Sequence, residues 1–116
     1  LIPMTRGILT TCYAPLAPGK LAAGEKAREE LRQLYLDFYA DEPFVKIVES
    51  PPHTKHTSGS NLCLVYPTVD QRAGKLIVVG CIDNLIKGAG GQAIQNMNLM
   101  LGLAETTGLQ ALAVYP

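Results

Sequence analysis

The chain has 116 residues, with ten basic and ten acidic side chains for a formal net charge of zero, and 47% of its residues are apolar. That length makes one domain able to bury about 60–70% of its unfolded surface. The balanced charge argues against nucleic acid as a partner, and no apolar run reaches the roughly 18 residues of a membrane helix. Three cysteines without CxxC spacing argue against a disulfide framework and a zinc site.

Residues 1–16 are β-rich, with Ile8, Leu9, Thr10, Thr11, Cys12 and Tyr13 in series, and the opening Leu1-Ile2-Pro3-Met4-Thr5-Arg6 lacks a signal-peptide layout. Pro15, Pro18 and Gly19 end the run. Residues 25–40 read as a helix whose apolar positions Ala27, Leu31, Leu34, Tyr35 and Phe38 follow the 3.6-residue period, and Pro43 bars its continuation. Residues 44–48 form a short strand. Residues 49–61 form a polar loop, solvated or at an interface, of a length that often carries function.

Residues 62–69 and 75–82 are expected to pair as an antiparallel hairpin around the turn Asp70-Gln71-Arg72-Ala73-Gly74. The second strand, Leu76-Ile77-Val78-Val79-Gly80-Cys81-Ile82, is apolar on both alternating faces, so both faces are expected to be covered. Helices would cover one, and another domain or a second subunit the other. Residues 91–101 make a second helix with Ala93, Ile94, Met97, Met100 and Leu101 as its expected buried stripe, capped at Gly102.

The segment between hairpin and helix carries the chemistry. Gly88-Ala89-Gly90-Gly91-Gln92-Ala93 formally fits G-x-G-x-x-[GA], but it follows a hairpin and lacks the second strand and acid of a dinucleotide fingerprint. No Lys-Ser/Thr follows the glycines, so it is not a phosphate-binding P-loop. The glycines either pack the helix against the strand or line a ligand wall. In Asp83-Asn84 the Asn amide suits a carboxamide ligand, although such a pair also caps turns and helices. Arg6 beside Gly7 suits a phosphate or carboxylate, with a surface ion pair as its ordinary role. His53 and His56, three apart, lack a nearby third ligand for a metal. The three thiols are free, which points to a reducing compartment, and core packing is their ordinary role.

Pro3-Met4-Thr5-Arg6-Gly7-Ile8-Leu9, Gly59-Ser60-Asn61, the run from Asp83-Asn84-Leu85-Ile86-Lys87-Gly88 through Met97-Asn98, and Leu101-Gly102-Leu103-Ala104-Glu105 together resemble the C-terminal domain of the N-acetyl-gamma-glutamyl-phosphate reductase family. The resemblance implies an α+β fold, an antiparallel or mixed sheet with helices on one face and the other face used for oligomerisation. It implies that residues 1–116 are a single substrate-binding and oligomerisation domain of a larger two-domain dehydrogenase. The NADP-binding Rossmann domain would then lie outside this chain. The implied activity is NADPH-dependent reduction of N-acetyl-gamma-glutamyl phosphate to its semialdehyde, in cytoplasmic arginine biosynthesis, by a homo-oligomer (dimer or tetramer).

The family's nucleophile motif Asn-Pro-Gly-Cys-Tyr-Pro and its His-Arg-His segment do not occur here, so no catalytic residue is expected in this chain and it is expected to be inactive alone. The resemblance carries over three positions: Arg6 toward the substrate's phosphoryl or carboxylate group, and Asn84 and Gly88 toward the cofactor. A stand-alone oligomerisation or binding module without catalysis remains the alternative, and a metal-dependent hydrolase using His53 and His56 a third.

Overall fold

The computed structural model describes residues 3–21 and 24–114, so the first two residues of the β-rich opening lie outside it. In chain order come β1 (Ile8–Pro15), α1 (Glu25–Phe38), β2 (Val45–Ile47), β3 (Cys63–Asp70), β4 (Lys75–Ile82) and α2 (Gly91–Met100). A 3-10 turn (Thr54–Thr57) precedes β3, and a π-helical turn (Ile86–Gly90) leads into α2. The architecture is α+β: one sheet of order β1-β4-β3-β2. β2 runs parallel to β3, and the other pairs are antiparallel. The expected hairpin forms between β3 and β4. Asp70 closes its turn by accepting the Arg72 and Ala73 N–H groups at 3.0 and 3.1 Å.

α1 lies on β3 and β2. Ala27 and Leu31 meet Val69 in a small apolar core, with Leu16, Leu21, Tyr35 and Leu76 packed around it. The expected stripe of α1 is only half buried. Leu34 and Phe38 stand out from the fold, Phe38 at 76% exposure, because the helix meets the sheet along Ala27, Leu31 and Tyr35. The last turn instead gathers its own aromatic rings, with Phe38 edge-on to Tyr39 at 4.8 Å.

The register places Leu9 and Tyr13 of β1, Ile77 and Val79 of β4, and Leu64 and Tyr66 of β3 on the face away from α1. At one end of that face the 3-10 turn covers Cys81, whose sulfur lies 3.6 Å from the Thr57 hydroxyl. Elsewhere the face is open, and Leu9 and Tyr13 are exposed. In this chain by itself, then, the doubly apolar β4 meets the α1 core at Leu76, and most of its other face is open to solvent.

One expectation is refined and one overturned. The loop at 49–61 is solvated at its start, where Glu49, Ser50, Pro51, His53 and Lys55 are exposed, and buried at Thr57, Ser60 and Asn61. Burial is possible because the hydroxyls find local acceptors: Ser60 donates to the Thr57 carbonyl at 2.9 Å and Thr57 to the Thr54 carbonyl at 3.3 Å. α2 is rotated relative to its expected stripe. It buries Gly91, Gln95 and Asn98, while Ile94, Met97, Met100 and Leu101 face outward.

The reason is the surface that α2 meets. Gln95 receives hydrogen bonds from Asn61 Nδ2 at 2.9 Å and Lys87 Nζ at 2.7 Å, and donates to Glu105. Asn98 donates to the carbonyls of Glu105 and Thr107 at 3.1 and 2.9 Å. Gly91 is required at the contact, because a Cβ there would stand 2.4 Å from Asn61 Oδ1.

Candidate functional site

β4 delivers Asp83 to a corner where three stretches of chain meet: the approach to β1, the loop before β3, and the π-helical turn. Asp83 is fully buried. Its Oδ1 accepts the N–H groups of Leu85 at 2.7 Å and Ile86 at 3.1 Å, capping the turn that follows. Its Oδ2 accepts the Gly59 N–H at 2.6 Å and the Arg6 Nη2. The main-chain carbonyl of Asp83 accepts the Gly88 N–H at 2.8 Å, the first of the wide turns that make the segment π-helical. Burial pushes the carboxyl up, but the Gly59 N–H, the Arg6 guanidinium and the Leu85 and Ile86 N–H groups outweigh it and hold it down at about 2. Asp83 is therefore an anion at any ordinary pH.

Asn84 holds the backbone on both sides of Arg6. Its Oδ1 accepts the Gly7 N–H at 2.7 Å, and its Nδ2 donates to the Thr5 carbonyl at 3.3 Å. Gly7 has φ of 95° and lies against Thr54, where a Cβ would come 2.4 Å from Thr54 Cβ, so no other residue fits without displacing the 3-10 turn. The Arg6 side chain is 43% exposed. Apart from Asp83 it has no other partner among the described residues.

Gly88 sits at the surface of the same corner, where an added Cβ would meet the Asp83 carbonyl at 3.3 Å and the side chains of Ile82 and Ile8 at 3.5 and 3.7 Å. Lys87 turns inward instead: its Nζ bonds Gln95 and lies 5.6 Å above the Phe44 ring. Arg6, Asn84 and Gly88, far apart in sequence, are thus brought together, and all three are anchored on the Asp83-Asn84 dipeptide.

The other candidates border this corner: His53 and His56 flank Thr54, against which Gly7 lies. The rings of His53 and His56 pack with centroids 3.7 Å apart, and His56 Nδ1 accepts the His53 N–H at 3.4 Å. Among the described residues no three His, Cys, Asp or Glu side chains converge as a metal site would need. Burial pushes the Cys63 and Cys81 thiols up, against the opposing effects of Lys87 on Cys63 and Thr57 on Cys81. A thiol held protonated is a poor nucleophile.

Two features of the corner go beyond what was read from the sequence. One is Asp83 as the common anchor of three segments, and the other is Gly59 as its donor from the loop. A signal for the first exists: an Asp that ends an apolar strand and is followed two and three residues on by Leu85 and Ile86 has the spacing of a side-chain cap. Nothing local marks Gly59 or Arg6 as its other partners.

A profile of the semialdehyde dehydrogenase dimerisation domain matches residues 1–84. Over its whole length the chain is 55% identical to an N-acetyl-gamma-glutamyl-phosphate reductase of Dehalococcoides mccartyi. Similarly named reductases of Heliobacterium modesticaldum and Pelobacter propionicus are 51% and 50% identical across the whole chain. The chain spans 32% of the length of each of these relatives. It belongs to the semialdehyde dehydrogenase dimerisation-domain family.

Proposed function

We propose that this chain is the substrate-binding and oligomerisation domain of a larger, two-domain cytoplasmic reductase. That enzyme would use NADPH to convert N-acetyl-gamma-glutamyl phosphate to N-acetylglutamate semialdehyde in arginine biosynthesis. The shared name of the relatives supports the reaction. The observation that carries the site is the convergence of Arg6, Asn84 and Gly88 on one partly exposed corner.

In this reading Arg6 binds the phosphoryl or carboxylate group of the substrate. One nitrogen of its planar fork is held by Asp83, which leaves the rest free for an anion. Asn84 and Gly88 fit the nicotinamide end of the cofactor. The Asn84 amide keeps a hydrogen and a lone pair beyond its bonds to Thr5 and Gly7, as a carboxamide partner requires. The exposed backbone at Gly88 lets a ring approach closely. NADPH, held mainly by a domain outside this chain, would supply the hydride. The nucleophile also comes from outside this chain, whose own part is to orient the substrate and complement its charge.

The open sheet face, with Leu9, Tyr13, Tyr66, Ile77 and Val79, pairs with a second copy of the chain. The test uses the full-length protein that carries this domain. It oxidises NADPH when given the acyl phosphate, and Arg6→Ala lowers kcat/KM by about a hundredfold or more. Absence of turnover in the wild type sinks the reading, and an unchanged kcat/KM removes Arg6 from the site. Val79→Glu converts the sedimenting oligomer to monomer, and an intact oligomer would clear the sheet face of that role.

A further inference from the structure

The Asp83-Asn84 dipeptide grips Arg6 at both ends. Asn84 ties the residues before and after it, through Thr5 O and Gly7 N. Asp83 takes the tip of the side chain, through Nη2. An arginine carries several rotatable bonds, and an exposed one samples many rotamers that an anionic ligand would have to freeze. Here the freezing is done beforehand by two consecutive residues. Asp83 itself cannot move to accommodate a ligand, because Gly59, Leu85 and Ile86 also donate to it and it is fully buried.

We propose that Asp83 is a positioning residue for anion binding. Its carboxylate fixes the Arg6 guanidinium by one nitrogen and so pre-orients the remaining donors toward the substrate's anionic group. This rests on the reductase reading for the identity of the anion, and on the geometry alone for the role of Asp83. The pair is asymmetric. If Arg6 is removed, Asp83 keeps three main-chain donors. If Asp83 is removed, Arg6 keeps its charge and loses its aim.

The test compares wild-type full-length protein with Asp83→Ser, whose hydroxyl still caps the Leu85 and Ile86 N–H groups but is too short to hold Arg6. Kinetics are run below the unfolding transition of both. The expected result is a rise of about tenfold or more in KM for the acyl phosphate, with KM for NADPH changed by less than about twofold. The double variant with Arg6→Ala should be no worse than Arg6→Ala alone, since Asp83 acts through Arg6. A substrate KM that does not move, or a KM for NADPH that rises in parallel, overturns the inference.

Inorganic phosphate titrated by calorimetry separates the two levels of the claim. Phosphate binding weakened about fivefold or more by Asp83→Ser, in a wild type without reductase turnover, upholds the role of Asp83 and sinks only the reaction. Unchanged phosphate binding overturns that role. Should Asp83→Ser fail to fold, the decision passes to Arg6→Ala, which leaves the Asp83 cap in place. Added guanidinium ion then raises its kcat/KM by about fivefold or more where tetramethylammonium does not, because only guanidinium can refill the fork beside the carboxylate. Absence of that rescue overturns the inference.

Discussion

The two helices of this domain are held by opposite means. α1 joins the sheet through Ala27, Leu31 and Val69, an apolar contact of the ordinary kind. α2 joins its neighbours through Gln95, Asn98, Asn61, Lys87 and Glu105, and turns its aliphatic side chains outward. Apolar contacts are non-directional and tolerate small shifts. Buried amides require their partners in place, and a partner left unmade costs about 1–3 kcal/mol. The half of the molecule that carries the candidate site is therefore the half with fixed geometry, and the α1 half supplies mainly burial.

Four substitutions test that contrast, from the largest effect to the smallest. Asp83→Ala removes the acceptor of three main-chain N–H groups and of Arg6, and should lower unfolding free energy by about 3–5 kcal/mol, read by denaturant titration. It should also erase an acid signature. The folded pKa of Asp83, at about 2, lies below its ordinary 3.8, so its contribution is complete above that ordinary value and is lost as pH falls toward the folded one. Stability followed from pH 5 to pH 2 should show this loss in wild type and not in Asp83→Ala. Leu31→Ala should cost about 3 kcal/mol with the acid signature retained, which would mark it as belonging to the other half.

Asn98→Leu tests whether the polar packing of α2 is required. If it is, stranding the Glu105 and Thr107 carbonyls costs about 2 kcal/mol despite the added apolar bulk. A stabilised Asn98→Leu would break the contrast. The smallest effect belongs to Met100→Gln on the outward face, where 85% exposure predicts a change within about 0.5 kcal/mol for this chain by itself.

Much of the framework was legible in the sequence. Both helices and the hairpin follow from periodicity and turn chemistry, and their observed bounds differ from the expected ones by a few residues at most; the first strand is shorter than the β-rich stretch read at 1–16, running only over Ile8–Pro15. Which side of a helix is buried was legible for Ala27 and Leu31 and not for α2. A 3.6-residue period is shared by Gly91, Gln95 and Asn98 and by the aliphatic stripe beside them. The period identifies the helix, and the partner decides the face. Arg6, Asn84 and Gly88 were legible as residue types in telling local settings. Their meeting at Asp83 depends on β1 lying beside β4, a long-range pairing that local sequence does not encode.

The π-helical turn sets the phase of everything after it. Each residue of a helix advances the next by about 100°, so one residue lost between Asp83 and Gly91 would bring Gln92 to the slot where Asn61 leaves room only for a hydrogen, and Leu99 to the slot where Asn98 meets two carbonyls. A single deletion there would leave composition and helical content almost untouched and still throw α2 out of step with its seat. The length of this short segment should tolerate less change than its chemistry does.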